Sequence, residues 1–334
     1  DSYRRKRRYH RLKNGTFVDL KEADLHELDQ VSTDLDLSEK QLDSGIIKIP
    51  GYQAFLLDAQ VDDEDKSASF VDYVNDVKIV DPKRYEVPER LKTVLRPYQV
   101  EGFQWLSTLW DKGFGGILAD EMGLGKSVQL LSLIEARKGN GPSLIVCPAS
   151  LVLNWQEECQ KFTPQLQSVA MDGDAAHRAA LVDGWAQADI VITSYDLLRR
   201  DEKLYAGQSF YACILDEAQA IKNHTTQKYK AVCRVNSRVR FALTGTPVEN
   251  RLGELWSIFS FLMPGYLPPY KTFCARFEKP IVQDEDANAV RRLNQFTGPF
   301  ILRRMKSEVL RELPPKTENV RRVELETEQR KLYL

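Results

Sequence analysis

Apolar residues form two different patterns along the chain. From Leu95 onward, short continuous apolar runs alternate with segments whose apolar residues recur at helical spacing. The runs occupy residues 116–119, 143–147, 190–193, 212–215 and 241–243, and the predicted helices occupy 98–110, 126–136, 152–162 and 225–235. Strands that are apolar on both faces and alternate with helices indicate a parallel sheet covered by helices on both sides. We therefore expect an α/β domain with a doubly wound parallel sheet.

The first 88 residues follow a different pattern, which predicts a small α+β module. The expected elements are strands at 9–12, 16–20 and 46–49 and helices at 21–35 and 54–61. Asn14-Gly15, between the first two strands, is typical of a hairpin turn. The acidic residues 62–65, Pro82 and Pro88 are typical of a linker, so we place the domain boundary near 85–92.

Composition and charge are those of an ordinary globular protein with about two domains. Of the 334 residues, 43% are hydrophobic and 28% charged, which argues against a disordered or fibrous chain. Lys and Arg (47) nearly cancel Asp and Glu (48), so a site for a polyanion must be a local patch. The five cysteines are widely spaced without a zinc-binding pattern, and no apolar run reaches the ~20 residues of a membrane span. We expect a cytoplasmic protein with reduced thiols and no membrane partner.

A glycine-rich segment follows the first predicted strand of the α/β domain and leads into a helix. It reads Asp120-Glu121-Met122-Gly123-Leu124-Gly125-Lys126-Ser127. Gly123 and Gly125 allow main-chain N–H groups to face a phosphate chain. Lys126 adds a positive charge for the β and γ phosphates, and Ser127 offers a hydroxyl to Mg²⁺. The usual phosphate-loop pattern begins with Gly where this chain has Asp120, so a simple glycine-rich turn is the alternative.

Two adjacent carboxylates follow a later apolar strand. Asp216 and Glu217 come directly after residues 212–215, at the carboxyl end of a predicted parallel strand, where ligands of such sheets bind. Asp216 can hold Mg²⁺, and Glu217 can orient or deprotonate an attacking water. An Asp-Glu pair after a strand is commonly a solvated turn. Its occurrence about 90 residues after Lys126 favours hydrolysis of a nucleoside triphosphate instead.

These segments, with three further motifs, occur in an order that resembles a known family. The additional motifs are Leu95-Arg96-Pro97-Tyr98-Gln99, Leu243-Thr244-Gly245-Thr246-Pro247 and Ile301-Leu302-Arg303-Arg304-Met305-Lys306. Together they resemble the first RecA-like lobe of SWI/SNF-type ATPases, in helicase superfamily two. Asp216-Glu217-Ala218-Gln219 is similar to that family's DEAD/DEAH-box motif. Asp120 also fits the family, and Ser127 keeps the hydroxyl of the family's Thr.

The resemblance implies a domain plan and further site residues. It assigns a RecA-like ATP-binding lobe to residues 92–265, and a helical extension with the start of the inter-lobe region to 266–334. Gln99 would contact adenine. Thr244, Gly245 and Thr246 would couple the state of the nucleotide to the nucleic acid.

The resemblance also implies contacts with the DNA backbone after two predicted strands. The residues concerned are Pro148, Ala149, Ser150, Asn154, Thr193, Ser194 and Tyr195. Small hydroxyls and main-chain amides suit phosphate contacts that do not read bases. Helix capping is the alternative from the residues alone, since Ser150 precedes an apolar helix. The basic run 4–8 also has two interpretations, since it could contact a polyanion or form a solvated tail.

Residues 1–88 resemble the region that precedes the motor in bacterial members of the family. We therefore expect a bacterial source and a cytoplasmic, nucleoid-associated location. The expected function is that of the ATP-binding N-terminal half of a DNA-dependent ATPase, which translocates on double-stranded DNA to remodel protein–DNA complexes. ATP and Mg²⁺ are the implied cofactors, and DNA-bound proteins or a polymerase are candidate partners.

A second lobe, which carries an arginine finger in this family, is not recognisable in the sequence. We expect the fragment to be nearly inactive alone, because such a finger contributes roughly 10³–10⁵ in rate. The alternative function is a nucleotide-dependent docking module that binds proteins without motor activity.

Overall fold

The computed structural model of this protein describes residues 9–11, 17–19, 31–32, 35, 37–43, 46–58, 61–81, 83–245 and 252–310. Its strands are β1 (Tyr9–Arg11), β2 (Phe17–Asp19), β3 (Gly116–Leu118), β4 (Ser143–Cys147), β5 (Ser168–Ala170), β6 (Ile190–Ser194), β7 (Ser209–Leu215), β8 (Asn236–Leu243) and β9 (Ile301–Leu302). β1 and β2 pair antiparallel, and the other seven strands form one parallel sheet in the order β5-β6-β4-β7-β8-β3-β9.

Helices flank this sheet and connect its strands. They are α1 (Glu39–Asp43), α2 (Ala54–Asp58), α3 (Ala68–Lys78), α4 (Pro97–Lys112), α5 (Lys126–Ala136), α6 (Val152–Phe162), α7 (Ala175–Leu181), α8 (Tyr195–Arg200), α9 (Glu202–Tyr205), α10 (Gln227–Arg234), α11 (Leu252–Leu262), α12 (Tyr270–Phe273), α13 (Lys279–Gln283), α14 (Ala287–Thr297) and α15 (Lys306–Val309). A π-helical turn, Cys274–Glu278, joins α12 to α13 just before Pro280, which has no N–H to donate. No helix of the described ranges is long and apolar enough to cross a membrane.

The order of the strands confirms the doubly wound parallel sheet. From β4 the chain adds β5 and β6 on one side and then returns through β7 and β8 toward β3, so its crossovers run in both directions. All residues of β4 and β6 are buried, which explains their continuous apolar sequences. Val146 pairs with both Thr193 and Leu215, and the strand ends therefore lie side by side.

The described part of the N-terminal module shares its core with the α/β domain. Phe55 of α2 is 1% exposed, and its ring centroid lies 5.8 Å from that of Phe114 and 5.0 Å from that of Phe300. Tyr52 packs edge-on against Tyr266 at 5.7 Å. Edge-to-face contacts of this kind add to the stabilisation that burial provides. The module and the lobe therefore stabilise each other directly.

Most predicted elements are confirmed, with exceptions in the N-terminal module. The five apolar runs are β3, β4, β6, β7 and β8, and the four helices of the α/β domain are α4, α5, α6 and α10. The strand predicted at 46–49 is wrong: this segment pairs with no described strand, and Ile46 is 83% exposed. The turn at Asn14-Gly15, the basic run 4–8 and most of the helix predicted at 21–35 lie outside the described residues.

Candidate active site

The candidate active site lies at the carboxyl ends of three neighbouring strands. The glycine-rich segment follows β3, the carboxylate pair follows β7, and Thr244-Gly245 follows β8. These strands are adjacent in the order β7-β8-β3, and Leu118 pairs with Leu243 at their ends. Residues about 90 positions apart along the chain therefore meet at one sheet edge, where ligands of such folds bind.

Two glycines give the glycine-rich segment its shape. Gly123 has φ 84° and Gly125 has φ 74°, a left-handed backbone conformation that residues other than glycine rarely adopt. A Cβ on Gly125 would also lie 2.4 Å from Nε2 of Gln99. Gly125 is the N-cap of α5, so the segment delivers the chain directly to a helix N-terminus, which attracts anions.

Lys126, the first residue of α5, brings a charge into this segment. Its Nζ donates to the main-chain oxygen of Asp120 at 2.9 Å. Burial lowers the pKa of Lys126, while the nearby carboxylates of Glu217 and Asp216 act in the opposite direction. The structure therefore brings Lys126 close to both predicted catalytic carboxylates.

Asp120, which departs from the usual phosphate loop, has a structural role. Its side chain is fully buried, and Arg304 donates to it from Nε at 2.9 Å and from Nη2 at 2.5 Å. Gln129 of α5 donates to Asp120 and accepts from Arg304 at 2.8 Å. Nη1 of Arg304 also donates to the main-chain oxygen of Tyr98. Asp120 thus ties the start of the glycine-rich segment to the residues that follow β9.

Gln99 is hydrogen-bonded to the glycine-rich segment. Its Nε2 donates to the main-chain oxygen of Leu124 at 3.0 Å, and its Oε1 accepts from the N–H of Arg96 at 2.9 Å. The hydroxyl of Tyr98 donates to the same oxygen of Leu124 at 3.1 Å. Gln99 is only 8% exposed. These bonds place Gln99 beside the phosphate segment; contact with adenine stays a prediction.

Asp216 is buried and held by donors from other segments. Its Oδ2 accepts from Nε1 of Trp155 at 2.8 Å, and its Oδ1 accepts from the N–H of Glu217 at 2.9 Å. Its main-chain oxygen accepts from the hydroxyl of Tyr195 at 2.8 Å. Burial raises the pKa of Asp216, and the bond from Trp155 opposes this shift. A buried carboxylate that keeps a lone pair on each oxygen is suited to a bound cation.

Glu217 has an unusual backbone conformation and a direct link to β8. Its φ of 49° is left-handed, which costs a side-chain-bearing residue roughly 1–3 kcal/mol and is typical of functional sites. Gln219 donates to Oε2 of Glu217 at 2.6 Å and accepts from the hydroxyl of Thr244 at 3.0 Å. Glu217 is therefore joined through Gln219 to the predicted coupling segment. Gly245 follows Thr244, whereas Thr246 lies outside the described residues.

The predicted DNA-contacting residues fall into two groups. Ala149, Ser150 and Asn154 are exposed and Pro148 is partly exposed, at the short helix Ala149–Leu151 and the start of α6. The N-cap of α6 is Leu151 and receives no side-chain bond, so the capping alternative does not describe Ser150. Contact of this group with DNA stays a prediction.

The side chains of the second group are buried, so only main-chain contact of this group with DNA stays a prediction. Thr193 is fully buried, Ser194 is 2% exposed and Tyr195 is 3% exposed. Ser194 accepts from the N–H of Leu197 at 3.2 Å and caps α8, and Tyr195 bonds to Asp216. Capping is therefore the right interpretation for Ser194. In this conformation none of the three hydroxyls is available to a DNA phosphate.

With this geometry established, comparison with known proteins identifies the family. Residues 98–334 match the model of the SNF2-related domain. The chain belongs to the SNF2 family. Residues 1–88 match the model described as bacterial SNF2 helicase associated, so both parts of the predicted resemblance are confirmed.

Individual relatives of this SNF2-family chain are longer proteins. The chain is 39% identical over 303 residues to the TATA-binding protein-associated factor mot1 of Aspergillus fumigatus, covering 82% of this chain and 16% of that protein. It is 38% identical over 327 residues to an uncharacterized ATP-dependent helicase of Mycoplasma pneumoniae, covering 95% and 31%. The chain thus spans less than a third of either relative.

A solved structure confirms the fold of the lobe. The SWI2/SNF2 ATPase core of Sulfolobus solfataricus in complex with dsDNA superposes with a TM-score of 0.63 at 40% sequence identity. The match covers 69% of this chain and 49% of that one. The seven-stranded parallel sheet with its flanking helices therefore matches the RecA-like lobe of a SWI2/SNF2 ATPase core.

The residues of the SNF2 lobe fit a magnesium site completed by a ligand. Mg²⁺ prefers oxygen ligands and commonly uses one or two protein groups together with phosphates and waters. Asp216 supplies a buried carboxylate, and the hydroxyl of Ser127 makes no hydrogen bond to the described residues. No cluster of three or more His, Cys, Asp or Glu within those residues could hold a metal by itself. This donor set suits Mg²⁺ bound together with a nucleotide.

For several residues of the site the sequence predicted no role, although Arg304 and Gln219 stand in motifs that carry the resemblance. Arg304 bonds to Asp120 across 184 residues, and Gln219 accepts from Thr244 across 25 residues. Trp155 had only a helical apolar position to mark it, and its bond to Asp216 spans 61 residues. A buried polar network of this kind becomes visible only when the fold brings its members together.

Proposed function

We propose that the chain is the ATP-binding first lobe of a DNA-dependent ATPase that translocates on double-stranded DNA and remodels protein–DNA complexes. The observation that carries this proposal is that the glycine-rich segment with Lys126 and the Asp216-Glu217 pair follow β3 and β7 at the same edge of one parallel sheet. Family membership supports it, as does the similarity to an ATPase core solved in complex with dsDNA.

The chemistry of ATP hydrolysis is divided among few residues. Main-chain amides around Gly123 and Gly125, with the ammonium of Lys126, hold the phosphates. Mg²⁺ held by Ser127 and Asp216 would supply positive charge for the β and γ phosphates. Glu217 orients the attacking water and accepts its proton, and the bond from Gln219 fixes the carboxylate for that task.

Coupling to DNA is proposed for the loop after β8 and the exposed surface beside α6. The bonds Glu217–Gln219–Thr244 connect the hydrolytic carboxylate to the segment Thr244, Gly245 and Thr246. Ser150 and Asn154 are exposed and suited to phosphate contact. Closure of a second lobe over the nucleotide, with an arginine finger, belongs to the same proposal, as does a bacterial, nucleoid-associated location.

The alternative function is nucleotide-dependent docking of partner proteins, including DNA-bound proteins or a polymerase. A docking module needs no hydrolytic carboxylate, yet Glu217 adopts a strained backbone and is bonded toward Thr244. These features favour the motor function.

The test is the ATPase rate of the full-length protein with and without duplex DNA, for the wild type and Glu217→Gln. We expect duplex DNA to stimulate the wild type. The variant should bind Mg-ATP with nearly unchanged affinity, because Asp216 and Lys126 remain, but should lose turnover by about 10²–10⁴-fold.

The matched control is Glu64→Gln, which makes the same change at an exposed position of the N-terminal module. We expect this control to keep both the basal and the DNA-stimulated rate. An unstimulated wild type would favour docking, and turnover by Glu217→Gln at the wild-type rate would exclude Glu217 as the base.

A further inference from the structure

We propose that Trp155 and Tyr195 are positioning residues that hold Asp216 and make its geometry depend on the positions of α6 and α8. The proposal rests on the function proposed above and adds two residues to it. It assigns no chemical step to either side chain.

Both residues bond to Asp216 from outside its own loop. Nε1 of Trp155 donates to the carboxylate oxygen Oδ2 at 2.8 Å, and the hydroxyl of Tyr195 donates to the main-chain oxygen at 2.8 Å. Trp155 is 1% exposed, Tyr195 3% and Asp216 9%. Both the carboxylate and the backbone of Asp216 are therefore fixed by side chains that have almost no room to move.

Each positioning residue belongs to an element that also reaches the surface. Trp155 lies in α6 directly after Asn154, and successive residues of a helix point about 100° apart, so one faces inward and the other outward. Tyr195 is the first residue of α8, directly after the capping Ser194. A shift of α6 caused by phosphate contact at Ser150 or Asn154 would move the indole that holds Asp216.

Simple core packing does not account for the bond made by Trp155. Trp110 and Trp185 are also buried, yet neither indole nitrogen has a hydrogen-bond partner in the described structure. A buried tryptophan in this chain is therefore tolerated without a partner. Trp155 instead makes a charge-assisted bond to the buried carboxylate that suits Mg²⁺, and such bonds are about twice as strong as neutral ones.

Trp155→Phe in the full-length protein tests the proposal, with Trp185→Phe as the matched control. Both variants replace a buried indole by a phenyl ring, but only the first removes a hydrogen bond. The first measurement is calorimetric affinity for ATP with and without Mg²⁺. Mg²⁺ should increase the affinity of the wild type for ATP, and we expect this increase to be about tenfold smaller in Trp155→Phe, the usual effect of removing a partner of a metal ligand. The affinity for ATP without Mg²⁺ should be unchanged.

The second measurement is the ratio of ATPase rates with and without duplex DNA, together with DNA affinity. We expect Trp155→Phe to lower that ratio while DNA affinity stays at the wild-type value, and Trp185→Phe to change neither. A purely structural role would lower both rates in proportion and leave the Mg²⁺-dependent affinity intact. Equal behaviour of Trp155→Phe and Trp185→Phe in both measurements would overturn the proposal.

Tyr195→Phe keeps the test valid if Trp155→Phe does not fold, as judged by urea unfolding. It removes only the hydroxyl that bonds to the main chain of Asp216, and we expect the same two losses to a smaller extent. Wild-type protein without Mg²⁺-dependent ATP binding or DNA stimulation would refute the proposed function itself. Wild-type protein with both properties, retained by Trp155→Phe and Tyr195→Phe, would refute only the positioning role.

Discussion

Lys126 is a partly buried cation whose pKa depends on its surroundings. Burial lowers its pKa, the carboxylates of Glu217 and Asp216 oppose this shift, and Nζ donates to the main-chain oxygen of Asp120. We expect Lys126→Ala to weaken Mg-ATP binding to this chain by about 2 kcal/mol, the usual contribution of a hydrogen bond to a charged group. Titration calorimetry measures this directly. Lys203→Ala, an exposed change on α9, is the control, and equal affinities of the wild type and Lys126→Ala would remove Lys126 from the site.

The pair Asp120–Arg304 should matter for stability more than for chemistry. Arg304→Met would leave the fully buried carboxylate of Asp120 without its main partner, so we expect the free energy of unfolding to fall by about 3 kcal/mol. Urea unfolding gives this value, and Arg303→Met, an exposed neighbour, should change it by less than about 0.5 kcal/mol. Addition of Asp120→Asn to Arg304→Met should recover part of the loss. Similar losses for Arg303→Met and Arg304→Met would contradict the assigned role.

The residues of the nucleotide site could be predicted because their pattern is local. Gly123, Gly125 and Lys126 stand in one loop whose spacing follows from phosphate chemistry. Arg304 stands in a motif of the resemblance, but its bond with Asp120 could not be predicted, since 184 residues separate the two. The burial of Tyr195 is hidden from the sequence for the same reason, because its partner Asp216 follows another strand.

At the scale of secondary structure, continuous burial decided which strands of the parallel sheet could be predicted. β4, β6, β7 and β8 contain long buried runs, and β3 is buried over all three of its residues. β5 has three partly buried residues and β9 has two, and such segments carry too little pattern to separate from loops. The acidic residues before α3 favour a linker from the sequence. The structure instead has a helix there, with Val74 and Val77 of α3 buried. Ser67 is the N-cap of α3, and its side chain accepts from the N–H of Phe70.

The start of α6 is the element that we expect to contact DNA. Ser150→Glu should weaken duplex binding, because a carboxylate at an exposed phosphate contact repels the DNA backbone. Gln160→Glu, an exposed change near the C-terminal end of α6, adds the same charge as a control. Binding is measured at two salt concentrations, and affinity should fall steeply with salt for all variants and show no sequence preference. Equal affinities of both variants, or strong sequence preference, would contradict this assignment.

At the scale of the whole molecule, charge provides no general attraction to DNA. The formal net charge is −1, so phosphate contact depends on local groups and on the geometry of the lobe. The shared aromatic core around Phe55 packs the described part of the module directly against the lobe. The translocation proposed above would therefore use motion of this lobe against another part of the protein.

The full-length protein should show translocation along duplex DNA with little strand separation. A nucleotide held between two lobes converts closure into a step only if both lobes grip the backbone. The bonds from Glu217 through Gln219 to Thr244 would link hydrolysis to that grip. Contacts of Ser150 and Asn154 with the DNA backbone would follow one DNA strand without inserting between bases. The base pairs should therefore stay intact as the protein moves along the duplex. Triplex displacement measures translocation and a forked duplex measures unwinding. We expect ATP-dependent displacement of the third strand and an intact fork, whereas efficient unwinding without triplex displacement would make the protein a true helicase.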